Sequence, residues 1–257
     1  HSQESHTDYI YNMALTTTHL ITASKDRTIR IWSLATQRLA HPPLESHTAA
    51  VLCVAVHEAK NLLFSGSVDK RMIVWDMESW DCVRVVEDAH EESVLSIAAS
   101  EKFVVTASQD KTVKVWDIEH LARTDSSSIV TPMRCLTGHA AAVNALALTS
   151  DNIITGSGDR TIRIWDIETL TCIRTIQGHF EKGIAALALL PSGGKVVAGG
   201  SDMTVRIFDV ATGVEEACLR GHTNLARSVC AMPGENEDEG GEVSIVSGSY
   251  DGKVRVW

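Results

Sequence analysis

The chain has 257 residues, 44% hydrophobic and 22% charged, a globular composition that excludes fibrous and low-complexity classes. Its net charge of −10 argues against non-specific nucleic-acid binding through a whole-molecule field. No apolar run approaches the about 18 residues of a membrane-spanning helix, and the opening HSQESHTDYIY carries no basic-then-apolar pattern, so neither a span nor a signal peptide is expected.

Along the chain, six segments align without gaps: TASKDRTIRIW (22–32), SGSVDKRMIVW (65–75), TASQDKTVKVW (106–116), TGSGDRTIRIW (155–165), AGGSDMTVRIF (198–208) and SGSYDGKVRVW (247–257). Their final aromatics, Trp32, Trp75, Trp116, Trp165, Phe208 and Trp257, recur every 41–49 residues, a period that marks a repeat architecture. The longer intervals hold LARTDSSSIVTP (121–132) and PGENEDEGGE (233–242). Within the fourth segment, NIITGS reaches a turn at Gly158-Asp159-Arg160, and Thr161-Ile162-Arg163-Ile164-Trp165 then alternates with period two. VNALALT (143–149) lies upstream and CIRTI (172–176) downstream, so each repeat reads as four short antiparallel strands, a to d. The repeats are bounded at 1–40, 41–83, 84–133, 134–173, 174–216 and 217–257, and no amphipathic helix exceeds two turns. The acidic insertion 233–242 falls between strands a and b of the sixth repeat, where a solvated loop opposite the b–c turns is expected.

A histidine precedes each turn aspartate: His6, His47, His90, His139, His179 and His222 before Asp26, Asp69, Asp110, Asp159, Asp202 and Asp251. Ser, His and Asp together suggest a hydrolase triad, but a catalytic site is needed once, whereas this set recurs, and no GxSxG elbow accompanies it. A structural role follows, best seen in His47-Ser65-Asp69-Trp75, His90-Thr106-Asp110-Trp116 and His139-Thr155-Asp159-Trp165. The fifth repeat departs coherently: Ala198 and Gly200 stand at both candidate hydroxyl positions and Phe208 replaces Trp. No enzyme activity is expected, and no nucleotide, metal or cofactor motif is present. Of six cysteines, Cys82, Cys135, Cys172 and Cys218 recur at one register, while Cys53 and Cys230 do not. With no CxxC pair, buried reduced thiols and a cytosolic or nuclear setting are expected.

The recurring His, Ser/Thr, Asp and Trp resemble the WD40 family over the whole chain. The resemblance implies an all-β WD40 propeller in which the four side chains form one hydrogen-bond chain per blade. It also implies protein partners on the rim where the b–c turns and d–a connections open. That rim would collect Lys25, Arg27, Lys70, Arg71, Lys111 and Arg160 from the turns. Tyr11, Asn144, Lys182, Leu225, Arg227 and Tyr250 join them. So many cations on an acidic chain are either solvated turn residues or a site for acidic or phosphorylated peptides. With only six repeats, the chain is expected to be an excerpt of a seven-bladed ring, a closed ring of six being the alternative.

The run of GHAAAVNALAL, KGIAALAL and GHTNLARSV with their partner strands further resembles the F-box/WD-repeat proteins of the β-transducin-repeat type, substrate receptors of SCF ubiquitin ligases. This implies a phosphorylated degron held by Tyr11, Asn144, Arg160, Gly183, Ser201, Leu225, Arg227 and Tyr250. Lys25 and Lys182 stand where that family has Arg, and Val68 where it has a hydroxyl, so the degron sequence stays open. The F-box itself would lie outside these residues. The competing expectation is a general scaffold for signalling, RNA processing or trafficking, with no phosphate requirement.

Overall fold

The computed structural model describes residues 4–123, 130–191, 193–232 and 243–257. The chain divides into two compact units, residues 1–137 and 138–257, each holding three antiparallel sheets. In the first unit the sheets are β1 (Ile10–Leu15), β2 (His19–Ser24) and β3 (Ile29–Ser33); β4 (Val51–His57), β5 (Leu62–Ser67), β6 (Met72–Asp76) and β7 (Cys82–Val86); and β8 (Val94–Ala99), β9 (Phe103–Ser108), β10 (Val113–Asp117) and β11 (Arg134–Leu136). A five-residue helix, Ile118–Ala122, follows β10, its amides capped by Asp117.

In the second unit they are β12 (Val143–Leu148), β13 (Asn152–Ser157), β14 (Ile162–Asp166) and β15 (Cys172–Ile176); β16 (Ile184–Leu189), β17 (Lys195–Gly200), β18 (Thr204–Asp209) and β19 (Glu215–Arg220); and β20 (Ala226–Met232), β21 (Ser244–Ser249) and β22 (Val254–Val256). Every sheet is a meander with strand a at one edge, as hairpin-connected neighbours require. The insertion 233–242 connects β20 to β21 but lies outside the described residues.

The strand b of the second sheet, β5 (LLFSGS), is buried on both faces because β8 of the next sheet lies across it. Close approach explains the small residues there. A Cβ at Gly66 would lie 2.5 Å from Val94 Cγ1, and one at Gly156 would lie 2.7 Å from Ile184 Cγ2.

Two backbone features were not visible in the alternation. The residue after each turn aspartate is left-handed: Arg27, Lys70, Lys111, Arg160 and Met203 have φ of 71–73°, and only Gly252 there is glycine. The register of every strand a also slips near its start, leaving Tyr11, Leu52, Leu95, Asn144, Ala185 and Arg227 as unpaired bulge residues.

The sheets correct the expectation of four strands in every repeat. Blade one has three, and residues 39–44 complete it only through the bridges Trp32–Leu39 and Ile29–Leu44, because Pro42 and Pro43 have no N–H for the ladder. Sheets and sequence repeats are offset, since β7, β15 and β19 straddle the boundaries after residues 83, 173 and 216. The cysteines differ as well. Cys53 is buried, but Cys82, Cys135, Cys172 and Cys230 are exposed; Cys82, Cys135, Cys172 and Cys218 lie on the last strands of their sheets, which carry little core. They occupy two registers, Cys82 and Cys172 opposite the Trp and Cys135 and Cys218 opposite the preceding cation.

Candidate functional site

In blade four Trp165 Nε1–H donates to Thr155 Oγ1 at 3.0 Å; Thr155 Oγ1 lies 2.8 Å from His139 Nε2, and His139 Nδ1 lies 2.8 Å from Asp159 Oδ2. Burial holds the His139 pKa below its ordinary value, so the imidazole is neutral. The carboxylate then requires the proton on Nδ1, which leaves Nε2 to accept the threonine O–H. The same chain joins His47, Ser65, Asp69 and Trp75 in blade two, and His90, Thr106, Asp110 and Trp116 in blade three. Blades one and six repeat it with His6, Thr22, Asp26 and Trp32, and with His222, Ser247, Asp251 and Trp257. These side chains satisfy one another inside the fold and leave nothing poised for a substrate.

Each turn aspartate takes donors on both oxygens. Asp159 Oδ2 accepts from His139 and the Ala140 amide, and Oδ1 accepts from the Thr161 amide and hydroxyl. Burial pushes Asp26, Asp69 and Asp159 up, but these hydrogen bonds outweigh it and hold each carboxyl at about 2. The second strand-b hydroxyl acts elsewhere, since Ser157 Oγ accepts from the Asp159 amide and donates to the Ala141 carbonyl. Gly138, before the histidine, makes room for Arg163, whose Nη1 would lie 2.6 Å from an added Cβ and whose guanidinium stands 6.0 Å over the Trp165 ring.

Blade five overturns one assignment. The amide that reaches Asp202 Oδ2 belongs to Glu181, so Phe180 holds the histidine position and His179 is one residue out of register. Phe180 is buried 5.9 Å from Phe208. His179 turns outward, with Nδ1 2.5 Å from Glu215 Oε2. Arg206 lies over Phe180, binds both Glu215 oxygens at 2.9 and 3.0 Å, and reaches Asp202 at 4.0 Å. A Cβ at Gly200 would strike Asp202 and the Phe180 ring, so glycine there follows from the phenylalanine. The spacing held the signal, since Phe180 precedes Asp202 by the same 22 residues that separate His47 from Asp69.

The variable residues form a connected rim in the second unit. The Gly158 amide bonds the Ala142 carbonyl, and an added Cβ on Gly183 would lie 2.8 Å from Gly158 Cα. Ser201 N–H donates to Gly183 O at 2.8 Å, Asn144 Nδ2 to Ile184 O at 2.7 Å, and Tyr250 N–H to Leu225 O at 3.3 Å. Arg227 Nη1 lies 3.5 Å from Ala185 O. Thus Asn144, Gly183, Ser201, Leu225, Arg227 and Tyr250 lie on one run of loops and bulges, with Arg160 and Lys182 exposed beside them. Tyr11 and Lys25 belong to the first unit.

The rim cations differ in their partners. In the first unit Lys25 lies 3.2 Å from Asp8, Lys70 3.9 Å from Glu92 and Arg71 2.7 Å from Glu87, while Arg27 and Lys111 have no carboxylate among the described residues within ion-pair distance. In the second, no carboxylate among the described residues lies within ion-pair distance of Arg160, Lys182 or Arg227.

Five Trp-hydroxyl-His-Asp chains on sheets of one pattern are the mark of a repeat family, and the WD domain, G-beta repeat family matches residues 1–33, 39–76, 80–117, 130–166, 170–209 and 213–257. The chain belongs to the WD40 family. It is also similar to p21-activated protein kinase-interacting protein 1-like of Gallus gallus, 27% identical over 46% of this chain and 31% of that protein. Pre-mRNA-processing factor 19 of Mus musculus is 30% identical over 40% of this chain and 20% of its own length. Mitochondrial division protein 1 of Schizosaccharomyces pombe is 25% identical over 55% and 26%. The chain thus spans about a third or less of each of these relatives. Domains of the WD40 family serve in general as scaffolds for protein interaction. No helix among the described residues is long and apolar enough to cross a membrane.

Proposed function

We propose that this WD40 scaffold binds acidic or phosphorylated peptide segments on the rim of its second unit. Arg160, Lys182 and Arg227 would take the negative charge, while Asn144, Ser201 and Tyr250 supply hydrogen bonds and an aromatic face. The observation that carries the reading is that three cations without a carboxylate partner among the described residues stand on one connected run of loops with Asn144, Ser201 and Tyr250, whereas Lys25, Lys70 and Arg71 are paired. Unpaired guanidinium groups on an exposed rim suit charge-assisted bonds to phosphate or carboxylate. It follows that Lys25, although counted among the rim cations, contributes less than Arg160 or Arg227.

The finer form of the reading is a substrate receptor of an SCF ubiquitin ligase in the cytoplasm or nucleus, joined to its ligase through a region outside these residues. The second reading, a scaffold with no phosphate requirement, draws support from relatives whose names speak of kinase interaction and pre-mRNA processing. We further propose a seventh blade beyond these residues. Ile10, Met13 and Leu15 of β1 are exposed, whereas Val51 and Val54 at the register of Ile10 and Met13 in β4 are buried against the preceding sheet.

The deciding measurement compares one serine peptide with its phosphorylated form, by fluorescence anisotropy across a salt series of about 50–500 mM NaCl. Tighter binding of the phosphorylated form that weakens with salt, and loses about tenfold in Arg160→Ala or Arg227→Ala but not in Lys25→Ala, is expected. Equal affinity for both peptides favours the phosphate-independent scaffold.

A further inference from the structure

The chain contains one Ser/Thr-Pro step, Thr131-Pro132, since its other prolines follow His41, Pro42, Leu190 and Met232. The step stands where the insertion of the third blade re-enters its sheet. Val130 packs against the core cluster that holds Ile118 and Leu121, and Met133 N–H donates to Val115 O at 2.8 Å, so the dipeptide is tied on both sides. Proline has no N–H for the ladder, and the pairing of β11 with β10 runs from Arg134, opposite Val115, onward. Thr131 is therefore left outside the sheet. Pro132 also keeps it extended, because a proline excludes the helical region from the residue before it.

Thr131 is exposed, and its hydroxyl has no hydrogen-bond partner among the described residues. The threonines of the blade networks differ, since Thr155 and Thr161 have theirs engaged. Arg134, three residues beyond Thr131, is also exposed and has no carboxylate within ion-pair distance among the described residues. Three features thus coincide: a free hydroxyl on an extended segment, a proline directly after it, and a cation at the third position. An enzyme pocket that receives the residue after the acceptor, and offers no hydrogen-bond acceptor there, favours proline, because any other residue brings an amide N–H that would be left unpaired. A carboxylate or phosphate two positions further along the same groove would pair with Arg134.

We propose that Thr131 is a phosphorylation site for a proline-directed protein kinase that also reads a cation three residues after the acceptor. In the transfer, Thr131 Oγ1 forms a bond to the γ-phosphorus of ATP as the bond from that phosphorus to the β–γ bridging oxygen breaks. The hydroxyl proton passes to the kinase's base and ADP leaves. The product carries a charge of about −1.5 to −2 at neutral pH, on a side chain that gave up no hydrogen bond of the fold to receive it.

The test incubates the whole folded chain with a purified cyclin-dependent kinase and magnesium ATP, beside a synthetic peptide of residues 128–138 as the unstructured reference. One phosphate per chain, located at Thr131 by tandem mass spectrometry, is expected, at a rate within about tenfold of the peptide's because the segment is already extended and exposed. Thr131→Ala should take up none, and Thr131→Ser should restore the transfer. Pro132→Ala and Arg134→Gln should each slow it about tenfold or more, with melting temperatures that show the chain still folded. A folded chain that takes no phosphate, or takes it elsewhere, would overturn the proposal. So would a rate about a thousandfold or more below the peptide's, since that is the rate of the small unfolded population alone. Transfer to Pro132→Ala and Arg134→Gln at the unaltered rate would equally overturn it. The outcome does not depend on the cationic rim: Arg160→Ala and Arg227→Ala should be phosphorylated as the unaltered chain is.

Discussion

Replacing Thr155 by valine tests whether the buried hydrogen-bond chain is the joint that holds a blade. Thr155 Oγ1 accepts from Trp165 Nε1–H at 3.0 Å and meets His139 Nε2 at 2.8 Å, so valine, of similar shape, leaves two buried polar groups without a partner. Each orphaned group costs about 1–3 kcal/mol, giving about 2–6 kcal/mol for the two. Against a total stability of about 5–15 kcal/mol that is a large loss. Trp165→Phe alone loses packing and one donor. Made in the Thr155→Val background, it loses the same packing but also removes an orphaned N–H. The double variant should therefore be about 1–3 kcal/mol more stable than the two single changes predict. Blade five holds the natural counterpart, with Ala198 and Phe208 in place of hydroxyl and indole and Phe180 completing the apolar set. Urea unfolding of the four chains gives the coupling directly. Additivity within about 0.5 kcal/mol would refute the reasoning, because the indole and the hydroxyl would then be acting independently.

Acid should unfold the protein through the turn aspartates. Asp26, Asp69 and Asp159 sit at about 2 in the fold against an ordinary 3.8, so their contribution is complete above about pH 4 and is lost as pH falls towards about 2. The side chains are buried, and each is worth on the order of 2 kcal/mol, seen as a melting temperature that drops steeply between about pH 4 and 2; a flat profile there would contradict the assignment. Gly138→Ala should destabilise by about 2–4 kcal/mol, since it forces a φ of +136° on alanine and meets Arg163; Gly178→Ala, at φ +87° with open space, should cost about 1 kcal/mol, and equal losses by calorimetry would remove the role given to Arg163. A thiol reagent should label Cys82 and Cys172 in the folded chain well before Cys53, which is buried and whose thiol burial pushes up; mass spectrometry of labelled peptides reads the order, and early labelling of Cys53 would count against it.

Much of this molecule was legible in residue order because its determinants are local. A run such as TIRIW alternates with period two, an Asp-containing turn follows a short β-rich run, and the same spacing returns in each blade. The buried network of His139, Thr155, Asp159 and Trp165 could be read the same way, since recurrence of four polar types at fixed distances has a structural explanation and no catalytic one. Other decisions belonged to the tertiary structure, because they depend on which side chains meet across sheets and loops. Two adjacent residues, His179 and Phe180, competed for one interior position, and packing against Phe208 and Arg206 settled it for Phe180. The rim cations looked alike in the sequence, until Asp8, Glu92 and Glu87 from neighbouring loops neutralised Lys25, Lys70 and Arg71. The bulges at Tyr11, Leu52 and Leu95 left no mark in the alternation, since they arise from the register between strands and not from either strand alone.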